Sequence, residues 1–305
     1  MRPFRVRLPA TSANLGPGFD ALGLAMTLYL TVEAKAAAAM KIDATGRDAE
    51  LCGSLKNNLM LDTYADVLKR HGKAVTPLHL RVKNEIPLGM GCGSSAAALL
   101  AGVALAVHFG KLGWSDKKML TEACVREGHP DNVAACWHGG LTISAMTGNG
   151  AEAHVHAVSL KPKVAWPLLL VMPQQPLSTK VARQVLPKTY SRADAVFNLQ
   201  RVALLVAAFT QGRGDLLGIA MEDKIHQPYR ARICTLFPAL LPLVGKNGVL
   251  GVALSGAGPS VLMVFDENYP AMSLKKKILE QSKGLGKVEL LDCRIDISGH
   301  KETKV

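Results

Sequence analysis

The segment that most constrains this fold is Glu85-Ile-Pro-Leu-Gly-Met-Gly-Cys-Gly-Ser-Ser-Ala-Ala97, where three alternating glycines precede two serines. Glycines tolerate positive φ and let a backbone wrap closely around an anion. The apolar residues that follow predict a helix from Ser94 to about Phe109. The free N–H groups at a helix start attract negative charge. The segment therefore predicts a phosphate cradle; the alternative is a glycine-rich connection whose serines only cap the helix.

The spacing within this segment excludes two common nucleotide-binding motifs. No Gly-Lys-Ser/Thr follows the glycines, so the loop is not a Walker A motif. Its GxGxG spacing also differs from the Rossmann fingerprint. A serine hydroxyl at the helix start could, in addition, coordinate Mg²⁺.

Two further segments combine glycines with small polar residues. Residues 9–24 contain Thr11, Ser12, Asn14 and Asp20 among several glycines, and we expect a long turn-rich loop over residues 9–20. Such a loop can place an amide and a carboxylate beside a ligand, or it can be an ordinary turn with locally bonded side chains. The string Ser-Gly-Ala-Gly-Pro-Ser, residues 255–260, lies between two apolar strands. It predicts either close backbone approach to a ligand or a plain glycine turn.

Length and element order set the architecture. The chain has 305 residues and 32.5 kDa, enough for one large domain or two small ones. Its composition, 49% hydrophobic and 20% charged, excludes a disordered chain. Strands and helices alternate without a strict βα order, which predicts the α+β class. The best domain boundary lies near Lys161, which gives units of 1–160 and 161–305.

The net charge of +12 is compatible with a nucleic acid, a membrane surface or a small anionic ligand. Residues 161–232 carry eleven of the basic residues against four acidic ones, but they form no arm or tail of like charges. We therefore expect a solvated basic face and no specific nucleic-acid partner. The longest apolar run, Ala96–Val107, is well short of the roughly 20 residues that span a bilayer. Six cysteines without a CxxC pair favour a reducing compartment, so we expect a cytoplasmic protein without a membrane segment.

The three loops together resemble the three motifs of the GHMP kinases, which include galactokinase, homoserine kinase, mevalonate kinase and phosphomevalonate kinase. Residues 9–24 resemble the N-terminal motif, 87–97 the ATP-phosphate loop, and 255–260 the C-terminal motif. Within that family, the strings at 12–20, 127–133 and 223–230 are similar to the homoserine kinase branch. One departure is Cys92, which stands where the family usually has leucine; it changes packing and leaves the backbone cradle intact.

The resemblance implies a two-lobed α+β fold. Its N-terminal lobe would be like the second domain of ribosomal protein S5, and its C-terminal lobe a ferredoxin-like α/β-plait. It also implies transfer of the γ-phosphate of ATP to the side-chain hydroxyl of L-homoserine, giving O-phospho-L-homoserine in threonine biosynthesis. ATP would be the co-substrate, Mg²⁺ the metal, and the assembly a homodimer. The alternatives are another GHMP kinase acting on a mevalonate- or sugar-type alcohol, and a non-catalytic basic protein that binds nucleic acid.

The resemblance assigns substrate contacts to six residues. Asp20 would hold the ammonium group and two arginines the α-carboxylate, because a fork of donors suits a planar carboxylate. A glycine of the third motif would approach the substrate through its backbone. The six residues are Asn14, Asp20, His129, Arg183, Arg230 and Gly256.

The resemblance also implies the ATP, metal and catalytic residues. Asn58 would lie near the adenine. Ser95 would coordinate Mg²⁺ together with a helix acid, for which Glu122 is the choice and Glu127 the alternative. Asn132 would orient the reacting groups, without any catalytic base. The remaining ATP contacts would come from the loop residues Pro87, Leu88, Gly89, Met90, Gly91, Cys92, Gly93, Ser94, Ser95, Ala96 and Ala97.

Overall fold

The computed structural model describes residues 2–304 and divides their strands between two sheets. The strands are β1 Phe4–Asn14, β2 Gly18–Ala36, β3 Lys41–Gly46, β4 Leu78–Asn84, β5 Leu141–Thr147, β6 His154–Leu160, β7 Leu168–Pro173, β8 Val249–Leu254, β9 Val261–Phe265, β10 Val288–Cys293 and β11 Lys301–Lys304. The first sheet has seven strands in the order β11-β1-β2-β4-β3, with β5 pairing to β2 and β6. The second has four, in the order β10-β7-β9-β8.

The helices follow the same division into two lobes. They are α1 Ala49–Gly53, α2 Leu59–Arg70, α3 Ser94–Gly110, α4 Asp116–Glu127, α5 Asp131–His138, α6 Thr179–Gln184, α7 Arg192–Gln211, α8 Leu217–Ala220, α9 Gln227–Arg230, α10 Leu236–Leu240 and α11 Ala271–Gln281. Short 3-10 turns occupy Gly150–Glu152, Gly214–Leu216 and Leu241–Leu243. Two mixed layers of helices and sheet confirm the predicted α+β class.

Helix α3 is the centre of the first lobe. It is apolar on every side, as expected for a helix surrounded by protein rather than lying at a surface. Helices α2, α4 and α5 and strand β1 contact it. Its first residue, Ser94, directly follows the glycine loop, as the sequence predicts. The burial of α3 therefore holds the end of that loop against the lobe.

The second lobe has its own core between the four-stranded sheet and helices α10 and α11. Side chains of β7, β8 and β9 such as Val171, Leu254 and Met263 are buried there with Leu240 and Ile278. The third predicted loop, 255–260, joins β8 to β9 at one end of this sheet. Both strands are apolar and almost wholly buried, so they anchor the loop at both of its ends.

The prediction of a loop over residues 9–20 is wrong. Strand β1 continues to Asn14 and β2 begins at Gly18, so the turn occupies only the residues between them. Two register shifts, after Pro9 and after Ala13, bend the paired strands without ending them. Small buried residues allow this, because Ala10 and Ala13 pack into the lobe while their backbone stays paired with β2.

The last strand returns to the first sheet. Strand β11 pairs with β1, with Arg7 opposite Lys301. Strand β11 belongs to the predicted unit 161–305, whereas β1 belongs to the predicted unit 1–160. An isolated bridge between Met26 and Ile295 ties the same region to β2. The division after residue 160 stays a prediction. The pairing of β11 with β1 shows that the end of the described chain returns to the first sheet.

Helix α7 is the one helix among residues 2–304 that is long and apolar enough, by length and composition alone, to cross a membrane. Its best window has a mean hydropathy of 1.3. Its sequence contains no long uninterrupted apolar run, because Arg192, Asp194 and Arg201 interrupt it. Its polar side chains bind within the second lobe: Asn198 contacts Asp223 at 2.7 Å, and Arg201 contacts Glu222 at 3.2 Å.

Candidate active site

One cleft brings the three predicted loops together. It has a volume of about 280 Å³ and takes its walls from both halves of the chain. The glycine loop and the start of α3 form one wall, and charged side chains form the other. The lining residues are Asn14, Asp20, Gly89, Gly91, Cys92, Gly93, Ser94, Ser95, Glu127, His129, Asp131, Asn132, Leu177, Ser178, Thr179, Arg183, Arg230, Gly256 and Ala257.

The glycine loop has a conformation and packing that only glycine permits. Gly91 and Gly93 have φ values of 72° and 70°, in the left-handed region. A Cβ on Gly91 would lie 2.1 Å from the carbonyl oxygen of Ser255, and one on Gly93 1.9 Å from Thr11 Oγ1. The three motifs therefore touch one another here, and the loop is clamped between the other two.

The structure places about half of the predicted ATP-loop residues at the cleft. Gly89, Gly91, Cys92, Gly93, Ser94 and Ser95 line it. Pro87, Leu88, Met90, Ala96 and Ala97 do not, and both alanines are buried in α3. The Cys92 side chain is 1% exposed, and burial raises the pKa of its thiol to about 12. Cys92 therefore contributes packing rather than a reactive thiolate.

Glu127, and not Glu122, lies beside Ser95. Ser95 Oγ donates to Glu127 Oε2 at 2.7 Å, and both residues line the cleft. Glu122 Oε1 instead accepts from Arg126 Nε at 2.7 Å, and Arg126 also binds Asp66. Five residues along an α-helix correspond to a rotation of roughly 140°, so the two acids of α4 point in different directions. The structure therefore places the alternative, Glu127, and not Glu122, beside Ser95, and the identity of the metal ligand stays a prediction.

Asp20 and Arg183 form an ion pair with two hydrogen bonds within the charged wall of the cleft. Arg183 Nη2 lies 2.7 Å from Asp20 Oδ1, and Nη1 lies 3.1 Å from Oδ2. Asn14 supports this end of the cleft, because its Oδ1 accepts from the Asp20 N–H and its Nδ2 donates to the Gly256 carbonyl at 2.8 Å. The predicted acid for an ammonium group and a predicted arginine for a carboxylate thus neutralise each other.

Arg230 is buried, and only part of its guanidinium is used within the protein. The residue is 1% exposed and lines the cleft. Its Nε donates to the Ala182 carbonyl at 3.1 Å, and its Nη1 donates to Gly256 O at 3.3 Å and to His226 Nδ1 at 3.1 Å. No contact within residues 2–304 uses its Nη2. Burial, assisted by the charge of Arg183, lowers the pKa of Arg230.

His129, Asp131 and Asn132 form a hydrogen-bonded group at the start of α5. His129 Nδ1 donates to Asp131 Oδ1 at 2.6 Å, and the same oxygen accepts from the Asn132 N–H at 2.7 Å. Thr11 Oγ1 donates to Asn132 Oδ1 at 2.8 Å. Burial opposes the charged imidazole, but the bond to Asp131 and its negative charge outweigh burial and raise the pKa of His129.

Asp20, His129 and Asp131 also present ligand atoms within 4.8 Å of one another, as a metal site would. Each of these atoms already has a partner, because Asp20 is paired with Arg183 and His129 with Asp131. The group also faces two arginines, which disfavour a cation. Its charges fit a ligand that carries both signs better than they fit a metal ion.

Asn58 lies outside the lined cleft. Its side chain caps α2 by accepting from the Leu61 N–H at 3.3 Å, and its Nδ2 donates to the carbonyls of Cys52 and Ser54. Its amide is therefore fully used in holding the turn before α2. Three exposed leucines surround this turn in the sequence: Leu51, Leu55 and Leu59.

Sequence reasoning missed several groups at or next to the cleft. Asp131 lines the cleft, as do Leu177, Ser178 and Thr179, which lie four to six residues before Arg183. Thr11 does not line the cleft but donates to Asn132, which does. His226 lies in the quoted string 223–230 and contacts Arg230. Position within a motif was the available signal, but contacts between distant segments decide which motif residues meet the ligand.

Comparison with known proteins shows which family this chain resembles along its length. A profile described as "GHMP kinases N terminal domain" matches residues 58–140, and "GHMP kinases C terminal" matches 205–281. A homoserine kinase of Solibacter usitatus is 44% identical over 99% of this chain and 97% of its own length. One of Deinococcus radiodurans is 38% identical over 98% of this chain and 96% of its own length.

Solved structures agree in fold. The homoserine kinase from Cytophaga hutchinsonii superposes with a TM-score of 0.78 at 25% identity, covering 99% of this chain and 98% of that one. L. major mevalonate kinase, solved with R-mevalonate, has a TM-score of 0.71 at 15% identity, with 96% of each chain covered. The second likeness concerns the fold alone.

Proposed function

Because the chain belongs to the GHMP kinase family and has the two-lobed fold of that family, we propose that it is a homoserine kinase. It transfers the γ-phosphate of ATP to the side-chain hydroxyl of L-homoserine and releases ADP and O-phospho-L-homoserine. The observation that carries the proposal is the pairing of Asp20 with Arg183 beside Arg230, across the cleft from the glycine loop.

The charges of this wall favour an amino acid over the other alcohols of the family. An amino acid presents an ammonium and a carboxylate, and it therefore needs an acid and arginines at a fixed separation. Asp20 and Arg183 supply both, and they form an ion pair with each other at 2.7 Å. Mevalonate- and sugar-type alcohols lack the ammonium, so they would leave Asp20 without a cationic ligand.

The opposite wall suits the phosphates of ATP. Gly89, Gly91 and Gly93 have positive φ ahead of α3, so the loop can wrap closely around an anion, and the N-terminus of α3 favours negative charge. Ser95 and Glu127 offer a hydroxyl and a carboxylate oxygen, the hard ligands that Mg²⁺ prefers. These two residues would hold Mg²⁺, which when bound neutralises charge on the phosphates.

The turn before α2 is the proposed neighbour of the adenine. Asn58 keeps this turn closed through its bonds to Cys52 and Ser54. Leu51, Leu55 and Leu59 are exposed there, by 67%, 51% and 42%, and offer apolar surface for a base. Asn58 would thus act by shaping this surface rather than by binding the base itself.

The transfer proceeds without a catalytic base. The homoserine hydroxyl oxygen bonds to the γ-phosphorus as the bond from that phosphorus to the bridging oxygen of ADP breaks. The hydroxyl proton passes to an oxygen of the transferred phosphoryl group. Such a loose transition state needs positioning and charge neutralisation above all. Asn132, fixed by Thr11 and Asp131, orients the reacting groups, and Asp131 organises His129 and Asn132.

The decisive test is ADP release by the purified protein with Mg-ATP and one of L-homoserine, L-serine, L-threonine or mevalonate. We expect turnover with L-homoserine to exceed the others by at least about tenfold, because only it matches both the charges and the reach of the cleft. An absence of turnover with L-homoserine would overturn the proposal.

Asp131→Asn tests the mechanism separately from the substrate. We expect this variant to keep measurable turnover, because Asn can still accept from His129. Complete loss of turnover with unchanged affinity for ATP and homoserine would instead identify Asp131 as a base.

The proposed setting is the cytoplasm, with the protein as a homodimer. All six cysteines are free thiols, and five of them are buried. Sedimentation of the purified protein at several concentrations tests the dimer directly.

A further inference from the structure

His226 is the buried titratable group next to the cleft that the proposed reaction does not use. Its side chain is fully buried, and it contacts one cleft residue and one residue of the N-terminal turn. We propose that His226 is a positioning residue that aims the Arg230 guanidinium at the substrate carboxylate. The inference rests on the proposed function, because it assumes that Arg230 binds this carboxylate.

The contact with Arg230 defines the protonation state of the imidazole. Arg230 Nη1 is a donor and lies 3.1 Å from His226 Nδ1, so Nδ1 must be the acceptor. His226 Nε2 lies 2.8 Å from the Gly16 carbonyl oxygen, so Nε2 carries the hydrogen. Burial and the neighbouring positive charge of Arg230 outweigh the opposing charge of Asp223 and lower the pKa of His226 to about 4. The ring is therefore neutral near neutral pH and keeps its acceptor.

The second contact links His226, and through it Arg230, to the turn beside the proposed ammonium site. Gly16 belongs to the turn between β1 and β2, which is flanked by Asn14 and Asp20. Through His226, Arg230 is thus linked to the turn that directly precedes β2, the strand that carries Asp20.

Several partners hold the imidazole in place. Asp223 Oδ2 accepts from the backbone N–H groups of His226 and Gln227, at 2.9 and 2.6 Å. Asp223 Oδ1 accepts from Asn198 Nδ2 at 2.7 Å. The ring of Phe19 lies 5.3 Å from the imidazole and 5.4 Å from the guanidinium carbon of Arg230. These contacts hold His226 in one position. A residue that orients a second side chain, here Arg230, must itself be held in this way.

Within the described part of the chain, the Arg230 side chain has three hydrogen-bond partners, and His226 is the one that is a side chain. Its Nε donates to the carbonyl of Ala182 in α6, and its Nη1 donates to the carbonyl of Gly256 in the loop 255–260. The bond to His226 adds a third contact, and no contact within residues 2–304 uses Nη2. Loss of the acceptor would let the guanidinium rotate, which weakens substrate binding more than it weakens folding.

The experiment compares His226→Leu, His226→Asn and His226→Gln, assayed with homoserine and with ATP. Gln can accept from Arg230 and donate to the Gly16 carbonyl. Asn keeps only the acceptor for Arg230, and Leu removes both the acceptor for Arg230 and the donor to Gly16. His300→Leu is the matched control, because His300 also bonds a backbone carbonyl, that of Trp137 at 3.0 Å, and stacks on an aromatic ring. The wild-type protein is assayed first; its failure to phosphorylate homoserine would reject the proposed function and not this inference.

We expect His226→Leu to raise KM for homoserine about tenfold, as loss of a hydrogen bond to a charged group predicts, with KM for ATP within about twofold. His226→Gln should restore KM for homoserine to within about threefold of wild type. His300→Leu should lower the melting temperature without changing either KM.

Two results would overturn the inference. One is an unchanged KM for homoserine in His226→Leu, and the other is an equal rise of both KM values, which indicates a purely structural role. Should His226→Leu fail to fold, His226→Phe takes its place, because it keeps an aromatic ring of similar size without the acceptor. A rise in KM for homoserine in His226→Phe that His226→Gln does not share supports the inference, and the same KM in both variants rejects it.

Discussion

The glycine loop at residues 87–97 and the charged wall of the cleft differ in how they are assembled. The loop is one continuous segment, and it offers backbone groups whose direction is set by positive φ at Gly89, Gly91 and Gly93. The charged wall combines side chains from distant segments, and Asp20 meets Arg183 across 163 positions of sequence. The two regions are therefore sensitive to different substitutions. A larger side chain in place of a glycine should disrupt the loop, whereas loss of one charge, or of its orientation, should disrupt the wall.

The largest effect is expected from Gly93→Ala. The new Cβ would lie 1.9 Å from Thr11 Oγ1, and the backbone there has a φ of 70°. We expect kcat/KM for both substrates to fall by at least about a hundredfold, because the loop and the Asn132 partner Thr11 must both move. Steady-state kinetics measure the loss.

Gly113→Ala is the matched control for that variant. Gly113 has a similar φ of 65°, but nothing lies within 4 Å of its missing Cβ. It should cost about 1 kcal/mol of the free energy of unfolding and leave kinetics unchanged. Equal losses of activity in the two variants would mean that backbone strain, not the close approach, explains the glycine.

A smaller effect, limited to one substrate, is expected from Arg183→Met. Two charge-assisted hydrogen bonds would be lost to the carboxylate, for an expected rise in KM for homoserine of about thirtyfold. KM for ATP should stay within about threefold of wild type, because the phosphate wall does not use this arginine. A matching loss for both substrates would contradict the division of the cleft into two walls.

Arg213→Met provides the comparison, since Arg213 forms an exposed pair with Asp215. Exposed pairs contribute little to stability, so this variant should behave like wild type. A rise in KM for homoserine here would mean that general positive charge attracts the substrate.

The two acids of α4 allow a sharper test within the phosphate wall. Glu127→Gln should raise the Mg²⁺ concentration needed for half-maximal rate by about tenfold, because Glu127 lies 2.7 Å from Ser95. Glu122→Gln should leave this concentration unchanged, since Glu122 is engaged by Arg126. The reverse ranking would restore Glu122 as the metal ligand.

The smallest effect concerns pH. The pKa of His129 is raised in the folded protein, so the protonated ring stabilises the fold fully below its ordinary value, about 6.5, and this contribution is lost as pH rises through the folded value. The stability difference between wild type and His129→Gln should therefore be larger at about pH 5.5 than at about pH 8.5. Urea unfolding at both pH values measures it.

Asp131→Asn gives the complementary readout by NMR. Removing this negative charge should lower the pKa of His129, because burial then acts against the protonated ring with less opposition. An unchanged titration would mean that Asp131 does not hold the proton on His129.

Elements with local signals were predicted well, and those made by distant pairing were not. The predicted start of α3 at Ser94 agrees with the structure, because it depends on neighbours within one helical turn. Strands β3 and β11 and the continuation of β1 to Asn14 were missed. Strands β3 and β11 acquire their structure by pairing with partners far away in the chain, and the end of β1 acquires it by pairing with β2 across two register shifts.

The same distinction applies to the active site. The sequence alone determined the glycine loop, its position before an apolar helix and the family of the chain, because φ preferences, capping and a continuous motif act over a few residues. Tertiary structure alone decided that Glu127 meets Ser95, that Asp20 meets Arg183, and that His226 reaches Gly16 across 210 positions. Side-chain pairs of this kind arise from the packing of whole lobes, and no local backbone preference encodes them.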